Sequence, residues 1–157
     1  MSNRNFSLYK KQQIVNELLL SGLSTDAFAP TKGVSGRALR EWRAAEVEAA
    51  FGPQAVTSAT PGGKARYQTT REIVQRLTRE NLVRARKVTT TYQGGSITQS
   101  IIADLTGSTK GEVSSFERGV AYYSTLAGNY AKTLGYFLFE VEKFGFIPSQ
   151  SRSIDVH

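Results

Sequence analysis

Apolar residues recur at intervals of three and four through the first third of the chain, the spacing that places side chains on one face of an α-helix. The first run predicts a helix over residues 8–20, with Ser7 as its N-cap and Gly22 as its stop. The buried face of this helix is expected to hold Ile14, Val15, Leu18 and Leu19.

Two shorter helices follow. The first lies around residues 27–29 after a cap at Ser24 or Thr25, and residues 30–33 (Pro-Thr-Lys-Gly) break it. The next begins after the cap Ser35. Together the three helices predict a small core, made of Ile14, Leu18, Phe28, Val34, Leu39 and Trp42.

Two short helices joined by a Gly-containing turn, the second one rich in Arg, are the elements of a helix-turn-helix whose second helix enters the DNA major groove. Gly36 would let the backbone come close to DNA, and Arg37 or Arg40 could bind guanine O6 and N7 in a bidentate manner. The predicted base-reading residues are Ser35, Gly36, Arg37 and Arg40, and Lys32 and Arg43 are predicted phosphate contacts.

A family resemblance supports this interpretation. It rests on Phe6-Ser7-Leu8, Ile14-Val15, Leu18-Leu19, Ser21-Gly22-Leu23-Ser24, Gly33-Val34-Ser35 and Leu39-Arg40-Glu41-Trp42. These residues resemble the homeodomain-like helix-turn-helix of insertion-element transposases and related regulators. The chain departs from that family at residues 29–32, where the family has an unbroken Ala-rich helix and a shorter turn. A small helical bundle that binds protein rather than DNA is the alternative.

The second half of the chain predicts a further set of helices. An amphipathic helix over residues 71–87 precedes a β-branched and then Gly-rich loop or extended piece at residues 89–96. Helices over residues 98–105 and 110–118, capped by Thr98 and Thr109, precede one at about residues 125–134. The expected apolar stripe of the first helix comprises Ile73, Val74, Leu77, Leu82, Ala85 and Val88.

These residues carry a second resemblance, to the helix-turn-helix of phage repressors and Cro-like proteins. It rests on Ile97-Thr98-Gln99, Ile102-Ala103-Asp104-Leu105-Thr106-Gly107-Ser108-Thr109, Val113, Phe116-Glu117-Arg118-Gly119, Leu126, Tyr130-Ala131 and Leu134-Gly135-Tyr136. The resemblance implies base contacts by Gln99, Thr109, Lys110, Gly111, Glu112 and Ser115. Lys110 suits guanine or phosphate, Glu112 suits cytosine N4, and Gln99 either binds adenine or braces a neighbouring residue.

The end of the chain is less determined by its pattern. Residues 136–146 are aromatic and fit a strand or a helix equally well near 136–143. We expect them to cover the core of the second module; exposed, they would form a dimer interface. Residues 149–157 are predicted to be a flexible tail.

Charge is concentrated in the middle of the chain. Residues 54–93 have 8 basic and 2 acidic side chains, a net of +6 within a whole-chain charge of +7. This concentration suits phosphate contact with counterion release, although a merely solvated helix face is the simpler alternative. The predicted phosphate contacts are Lys64, Arg66, Arg71, Arg76, Arg79, Arg84, Arg86 and Lys87.

The fold class is therefore expected to be mainly α, with two small helix-turn-helix DNA-binding domains joined by a basic linker or helix. Residues 54–63 are small and polar and end in Pro-Gly-Gly, which is typical of a linker. The predicted organisation is an N-terminal domain at 1–53, a linker at 54–70, a C-terminal domain at 71–148 and the tail at 149–157.

Composition excludes several classes of site. The chain has no cysteine, and its one histidine is His157, so thiolate or histidine metal sites and cysteine or histidine catalysis are not expected. Gly62-Gly63-Lys64 lacks the strand and the following Ser or Thr of a P-loop. No run approaches the ~20 apolar residues of a membrane span. We therefore expect a cytoplasmic protein without enzymatic activity, cofactor, metal, small-molecule substrate or membrane partner.

The overall plan resembles the cluster A type immunity repressors of temperate mycobacteriophages, in which an N-terminal helix-turn-helix and a C-terminal second DNA-binding ("stoperator") domain flank a basic segment. That resemblance implies a repressor of lytic transcription that maintains lysogeny in a bacterial host. Because the two predicted helix-turn-helix units differ, one monomer without stable self-association could read an asymmetric double-stranded operator in successive major grooves. The alternatives are an antitoxin-like auto-regulator or a transposase-type DNA-binding subunit, acting as a dimer or with a protein partner.

Overall fold

A computed structural model describes residues 6–52, 57–59, 65–67, 69–150 and 152–156 of the chain, with only the backbone described at 57–59 and 65–67. The protein is mainly helical and divides into two compact units, Met1–Ile73 and Val74–His157. The boundary between the units lies in the first turn of a helix, close to the predicted start of the second domain. No helix in the described ranges has both the length and the apolar character to cross a membrane.

In residues 6–52 the first unit forms three α-helices and a 3₁₀ helix. They are α1 (Leu8–Ser21), α2 (Thr25–Phe28), the 3₁₀ helix (Ala29–Lys32) and α3 (Gly36–Phe51). The predicted caps are confirmed, because the hydroxyls of Ser7, Ser24 and Ser35 accept hydrogen bonds from main-chain N–H groups in the first turns of their helices. The buried apolar side chains of these helices are Ile14, Val15, Leu18, Leu19, Phe28, Ala29, Val34, Leu39 and Val47.

Two details of this unit differ from expectation. Residues 29–32 continue α2 as a 3₁₀ helix instead of breaking it. Pro30 is tolerated there because an N–H in the first turn of a helix has no partner within the helix, so the N–H that proline lacks is not missed. Gly33, at φ 67°, ends the 3₁₀ helix. Trp42 is only half-buried: its ring meets the edge of Phe6 at a centroid distance of 5.2 Å, and the Lys11 ammonium lies 5.7 Å from its centroid.

The predicted linker contains a short antiparallel pair of strands, β1 (Thr57–Ala59) and β2 (Ala65–Tyr67), in which Ser58 is opposite Arg66. The sequence did not predict this hairpin, although its Pro-Gly-Gly turn signal lies between the two strands. Lys64 and the Arg66 side chain, both predicted phosphate contacts, lie outside the described part of the structure.

The second unit contains five further helices and two very short strands. They are α4 (Thr70–Val88, whose first turn belongs to the first unit), β3 (Thr90–Thr91), α5 (Gln99–Thr106), α6 (Lys110–Glu117), α7 (Ser124–Thr133), α8 (Leu138–Val141) and β4 (Ser153–Ile154). The predicted caps Thr98 and Thr109 are confirmed. Buried apolar side chains from α4 to α8 form one core, including Leu82, Ile102, Val113, Phe116, Tyr130 and Leu134.

The aromatic segment after α7 forms the short helix α8 at its centre rather than a strand, and the residues on either side of α8 are irregular. Tyr136, Val141 and Phe146 join the core, as expected for a segment that covers it. Phe137 and Phe139 do not: they are 70% and 56% exposed, with their rings stacked at a centroid distance of 5.6 Å. The expectation of a core role therefore fails for these two residues.

The C-terminal segment is attached to the second unit, contrary to the prediction of a flexible tail. β4 pairs in parallel with β3, Thr90 with Ser153 and Thr91 with Ile154. Ile154 and Val156 pack against the core. Nη1 of Arg152 donates to the carbonyl oxygens of residues 134 and 135, and its guanidinium lies 4.2 Å from the Tyr136 ring centroid.

Candidate nucleic-acid interface

α5 and α6 form a closely packed helix pair joined by residues 107–109. Gly107 is in the left-handed conformation at φ 74°, which favours glycine, and its N–H donates to the Ala103 carbonyl. Ala103 is buried beneath the turn, and Val113 and Phe116 hold the underside of α6 in the core. All four residues belong to the pattern that carries the second resemblance.

The outer side of the first turn of α6 holds four of the predicted base-reading residues, Thr109, Lys110, Gly111 and Glu112, all of them exposed. Thr109 and Glu112 form a reciprocal capping box: the Glu112 N–H donates to the Thr109 hydroxyl at 3.1 Å, and the Thr109 N–H donates to the Glu112 carboxylate at 2.9 Å. Their polar groups are therefore used in holding the helix end. Lys110 is the long cationic side chain on this surface.

Gly111 has no structural requirement within the fold. Its φ is not positive, and a Cβ built on it would meet only the Thr109 hydroxyl, at 3.8 Å. Ser115, another predicted base-reading residue, is half-buried, and its carbonyl accepts the Val120 N–H at 2.9 Å. Ser115 thus fastens the loop that follows α6.

The far end of α6 is fixed by a buried ionic cluster centred on Glu117. The Arg86 guanidinium donates to both carboxylate oxygens of Glu117 at 2.8 Å and to the carbonyl of Ile97 at 3.0 Å. The Tyr130 hydroxyl and the Gln99 amide also donate to this carboxylate, the latter at 3.0 Å. One carboxylate therefore joins α4, α5, α6 and α7.

The electrostatics of the cluster follow from its burial. Burial alone would raise the pKa of Glu117, but hydrogen bonds from Arg86, Tyr130 and Gln99 outweigh it and lower this pKa below its ordinary value. Burial similarly opposes the charge of Arg86, yet its bonds to Glu117 and Tyr130 raise the Arg86 pKa. Burial beside a carboxylate strongly raises the pKa of the Tyr130 hydroxyl, which stays protonated and donates.

Sequence reasoning did not identify this cluster. From the sequence, Glu117 is only a residue near the end of the predicted helix 110–118, and Arg86 is a predicted phosphate contact. One signal was available: Arg86 is four residues after Leu82, so it lies along the edge of the apolar stripe of α4 rather than opposite it. Of the two roles left open for Gln99, the structure shows the bracing one.

Three further arginines of α4 also form hydrogen bonds or ion pairs within the second unit. Nε of Arg79 donates to the Phe116 carbonyl at 2.9 Å, and burial lowers the Arg79 pKa. Arg84 donates to the Asn81 side chain at 2.6 Å and to the Phe146 carbonyl at 3.0 Å. Arg76 pairs with Glu80 at 3.5 Å.

Arg71 and Lys87 are the predicted α4 phosphate contacts left on the surface without such a bond to a described residue. Of the six basic side chains of the middle segment that the structure describes, Arg76, Arg79, Arg84 and Arg86 are therefore bonded within the second unit.

In the first unit, α2, the 3₁₀ helix and α3 form a second helix pair, and in the first turn of α3 Arg37 is exposed while Gly36 and Ala38 are half-buried. Arg40 pairs with Asp26 across this pair at 2.8 Å, over Gly36. A Cβ on Gly36 would meet the Asp26 carboxylate, so Gly36 leaves room for this exposed ion pair. The predicted close approach of Gly36 to DNA stays a prediction.

The other predicted DNA contacts of this unit differ in how exposed they are and in which bonds they already form. Arg37 is 86% exposed and pairs with Glu41 at 3.4 Å, a surface pair of little energetic weight. The Ser35 hydroxyl is used as the α3 cap. Lys32 pairs with Glu17, and Arg43 is half-buried, with its pKa lowered by burial.

No cluster of three or more acidic, histidine or cysteine side chains suited to a metal ion occurs in the ranges that the structure covers. Comparison of the chain with protein-family models, with curated proteins and with solved structures gives no match.

Proposed function

We propose that this protein is a sequence-specific double-stranded DNA-binding protein, and that each unit contributes one helix-turn-helix. The observation that supports this most directly is the α5–α6 pair. Its α6 is fixed at the start by a capping box and at the end by the Glu117 cluster, while the residues on the outer face of its first turn are exposed in the described part of the structure. A rigid helix with an exposed N-terminal turn is what insertion into a major groove requires.

Within this proposal, Lys110 is the base-reading or phosphate-contacting cation of α6, and Gly111 allows close approach of the helix backbone. Thr109 and Glu112 act mainly through the cap, and Gln99 and Ser115 act by positioning α6. In the first unit Arg37 is the best-exposed candidate, since its pair with Glu41 is long and solvated. Arg40 would have to exchange Asp26 for a base.

The more specific proposal is a repressor of the phage immunity type, in which one chain reads an asymmetric operator through its two units. It is supported by the non-identical helix pairs and by their covalent connection, which makes the second contact intramolecular. Major grooves on one side of DNA recur about every 10 bp, a span of ~34 Å that a tethered second unit can cover.

Selection of duplexes from a random pool, followed by binding titrations, tests the proposal. We expect an enriched motif without two-fold symmetry. Lys110→Ala should weaken binding to this motif by ~1–3 kcal/mol and relax the preference at one position only, if the lysine binds a base. Lys132→Ala, on α7, is the matched control and should leave the preference unchanged. A pool without enrichment would contradict sequence-specific binding.

A second candidate function, a dimeric DNA-binding regulator, is favoured by one observation. Phe137 and Phe139 expose stacked apolar rings at the start of α8. An exposed aromatic segment is the condition under which the sequence predicts a dimer interface. Analytical ultracentrifugation with the selected duplex separates the two candidates. A complex of one chain with one duplex supports the monomeric repressor. A complex of two chains with one palindromic duplex supports the dimer, provided that Phe137→Ser/Phe139→Ser abolishes that complex.

A further inference from the structure

The outer face of α6 continues beyond its first turn to Arg118, which is not among the predicted DNA contacts. Gly111 and Arg118 are two helical turns apart, so they lie at nearly the same angle around the helix axis. Both residues are exposed. Val113 and Phe116, which hold α6 in the core, are on the opposite side of the helix. Arg118 therefore lies on the line of α6 that points directly away from the core.

A hydrogen bond shows which way the Arg118 side chain runs. Arg118 is the C-cap of α6, and its backbone is still in the right-handed helical region, at φ −81°. Its Nε donates to the Ser114 hydroxyl at 3.2 Å, one turn earlier on the same face. Side chains on a helix lean towards its N-terminus, and this bond holds the guanidinium in that direction. The guanidinium therefore lies over the middle of the outer face of α6, closer to the exposed first turn than its own Cα is.

The charge of Arg118 is not neutralised by an ion pair within the described part of the chain. Its Nη1 and Nη2 atoms make no hydrogen bond there either. The two acidic residues of α6 are engaged elsewhere: the Glu112 carboxylate accepts the Thr109 N–H, and the Glu117 carboxylate is bound by Arg86 inside the unit. Arg118 thus presents a positive charge and two donor atoms to whatever meets the outer face of α6.

The position and the chemistry of this group suit a guanine base. When a helix lies in the major groove, the line farthest from the protein core faces the base edges, and its flanks face the phosphates. The guanidinium offers paired N–H donors that match O6 and N7 of guanine. The bond to Ser114 uses Nε and leaves Nη1 and Nη2 for this pairing. It also orders the side chain before binding, which lowers the entropy that the contact costs.

We propose that Arg118 is a specificity-determining residue, which reads a guanine from the middle of the outer face of α6, with Ser114 as its positioning residue. This inference rests on the proposed DNA-binding function and extends it to two residues that the sequence did not assign. The helix α6 then has two cationic contacts, Lys110 at its start and Arg118 farther along, and they meet different base pairs.

The test measures the base preference at each position of the motif selected from the random pool. Fluorescence-anisotropy titrations of the full chain use the selected duplex, duplexes with one base pair changed in each, and a shuffled duplex. Arg118→Ala should weaken binding to the selected duplex about tenfold more than binding to the shuffled one. It should also remove a preference for guanine at one position, which differs from the position that Lys110→Ala affects.

Two further variants accompany Arg118→Ala. Lys132→Ala removes one exposed positive charge from α7 and should leave the preference unchanged at every position. Ser114→Ala removes the hydroxyl that holds the guanidinium, so it should reduce the guanine preference at the Arg118 position and keep the preferences elsewhere. A merely structural role of Ser114 in α6 would instead reduce the preference at all positions that the helix reads.

The outcomes are distinguishable. An unchanged preference at every position in Arg118→Ala overturns the inference and leaves the proposed function standing. An equal loss on the selected and shuffled duplexes also overturns it, because that result indicates a phosphate contact. Failure of the unmodified chain to enrich a motif overturns the proposed function and this inference together. Should Arg118→Ala unfold, as circular dichroism would show, Arg118→Gln replaces it and should lose the same guanine preference; a preference that persists in Arg118→Gln overturns the inference.

Discussion

Glu117 shows how much one buried carboxylate contributes to the position of a helix. Its side chain is 6% exposed and that of Arg86 is 14% exposed, so neither charge is solvated when its partner is lost. Removing one member of a buried, hydrogen-bonded ion pair typically costs about 3–5 kcal/mol, since the other charge stays behind unpaired. The cluster therefore connects the stability of the second unit with the orientation of α6.

The first prediction concerns pH. The pKa of Glu117 is lowered below its ordinary value of 4.5, so its contribution to stability is complete above that pH and is lost as pH falls through the still lower folded pKa. Glu117→Gln should destabilise the second unit by about 3–5 kcal/mol at neutral pH, and this difference should shrink below pH 4.5. Urea unfolding followed by circular dichroism from neutral to acid pH measures the difference.

Two controls accompany this measurement. Asp104→Asn removes an exposed carboxylate from α5 and should change stability little at any pH. The one tryptophan, Trp42, lies in the first unit, so its fluorescence transition should not move in either variant. If the difference in free energy of unfolding between Glu117→Gln and the unmodified chain did not change with pH, the role assigned to the Glu117 carboxylate would be contradicted.

Gly111 provides the second prediction. Its backbone does not need glycine and its surroundings leave room for a methyl group, so Gly111→Ala should stabilise α6 by ~0.5–1 kcal/mol through reduced backbone entropy. The same substitution should weaken DNA binding, because the new methyl group lies where the proposed function places the DNA. Thermal unfolding and binding titrations of the same variant measure the two effects.

The matched variant is Gly128→Ala in the middle of α7, where a Cβ also meets nothing within 4 Å. It should raise stability by a similar amount and leave DNA affinity unchanged. Equal affinities for all three proteins would remove Gly111 from the proposed interface.

At the scale of elements, the locally determined features follow the sequence most closely. Ser7, Ser24, Ser35, Thr98 and Thr109 cap the predicted helices, because a cap needs only its own residue and the first helical turn. Gly22 and Gly107 end helices for the same local reason. One element that the sequence missed depends on a distant partner: β4 pairs with β3, which lies more than sixty residues earlier in the chain.

The third prediction therefore concerns the C-terminal segment. A chain ending at Gln150 loses the β3–β4 pairing, the Arg152 bonds and the packing of Ile154 and Val156. We expect the free energy of unfolding of the second unit to fall by about 2 kcal/mol, which is the stabilisation typical of burying part of two aliphatic side chains. Denaturant unfolding followed by circular dichroism measures the loss. Ser153→Ala, which keeps the main-chain pairing, should unfold like the full chain, and an unaffected truncated chain would restore the interpretation as a free tail.

At the scale of the whole molecule, net charge alone is a poor guide to the binding surface. The second unit has ten basic and seven acidic residues. Arg79, Arg84, Arg86 and Arg152 each donate to main-chain carbonyls inside it. Guanidinium groups suit this use because their several donors can bind more than one acceptor at once. The counterion release available to DNA binding is accordingly smaller than the formal charge implies.

The fourth prediction separates exposed from internal cations. Lys87→Ala should flatten the slope of log K against log salt by about one unit and leave stability unchanged, provided Lys87 contacts a phosphate. Arg84→Ala should instead lower the stability of the second unit by ~1–2 kcal/mol, since it removes hydrogen bonds to Asn81 and Phe146. DNA affinity as a function of salt concentration and the free energy of unfolding are measured for both variants. A flattened salt slope together with unchanged stability in Arg84→Ala would contradict the internal role of Arg84.

The sequence by itself determined the capped starts of the helices α1, α2, α3, α5 and α6, the turns at Gly22 and Gly107, and the apolar side chains beneath α6. These features depend on neighbours within a few residues, and a single chain displays them in order. Only the tertiary structure decided which polar side chains point inward. Arg86 and Glu117 are 31 residues apart, and Arg84 and Phe146 are 62 apart. A charge that serves an internal bond and one that meets solvent look alike in the sequence, because burial is a property of the surroundings that folding creates.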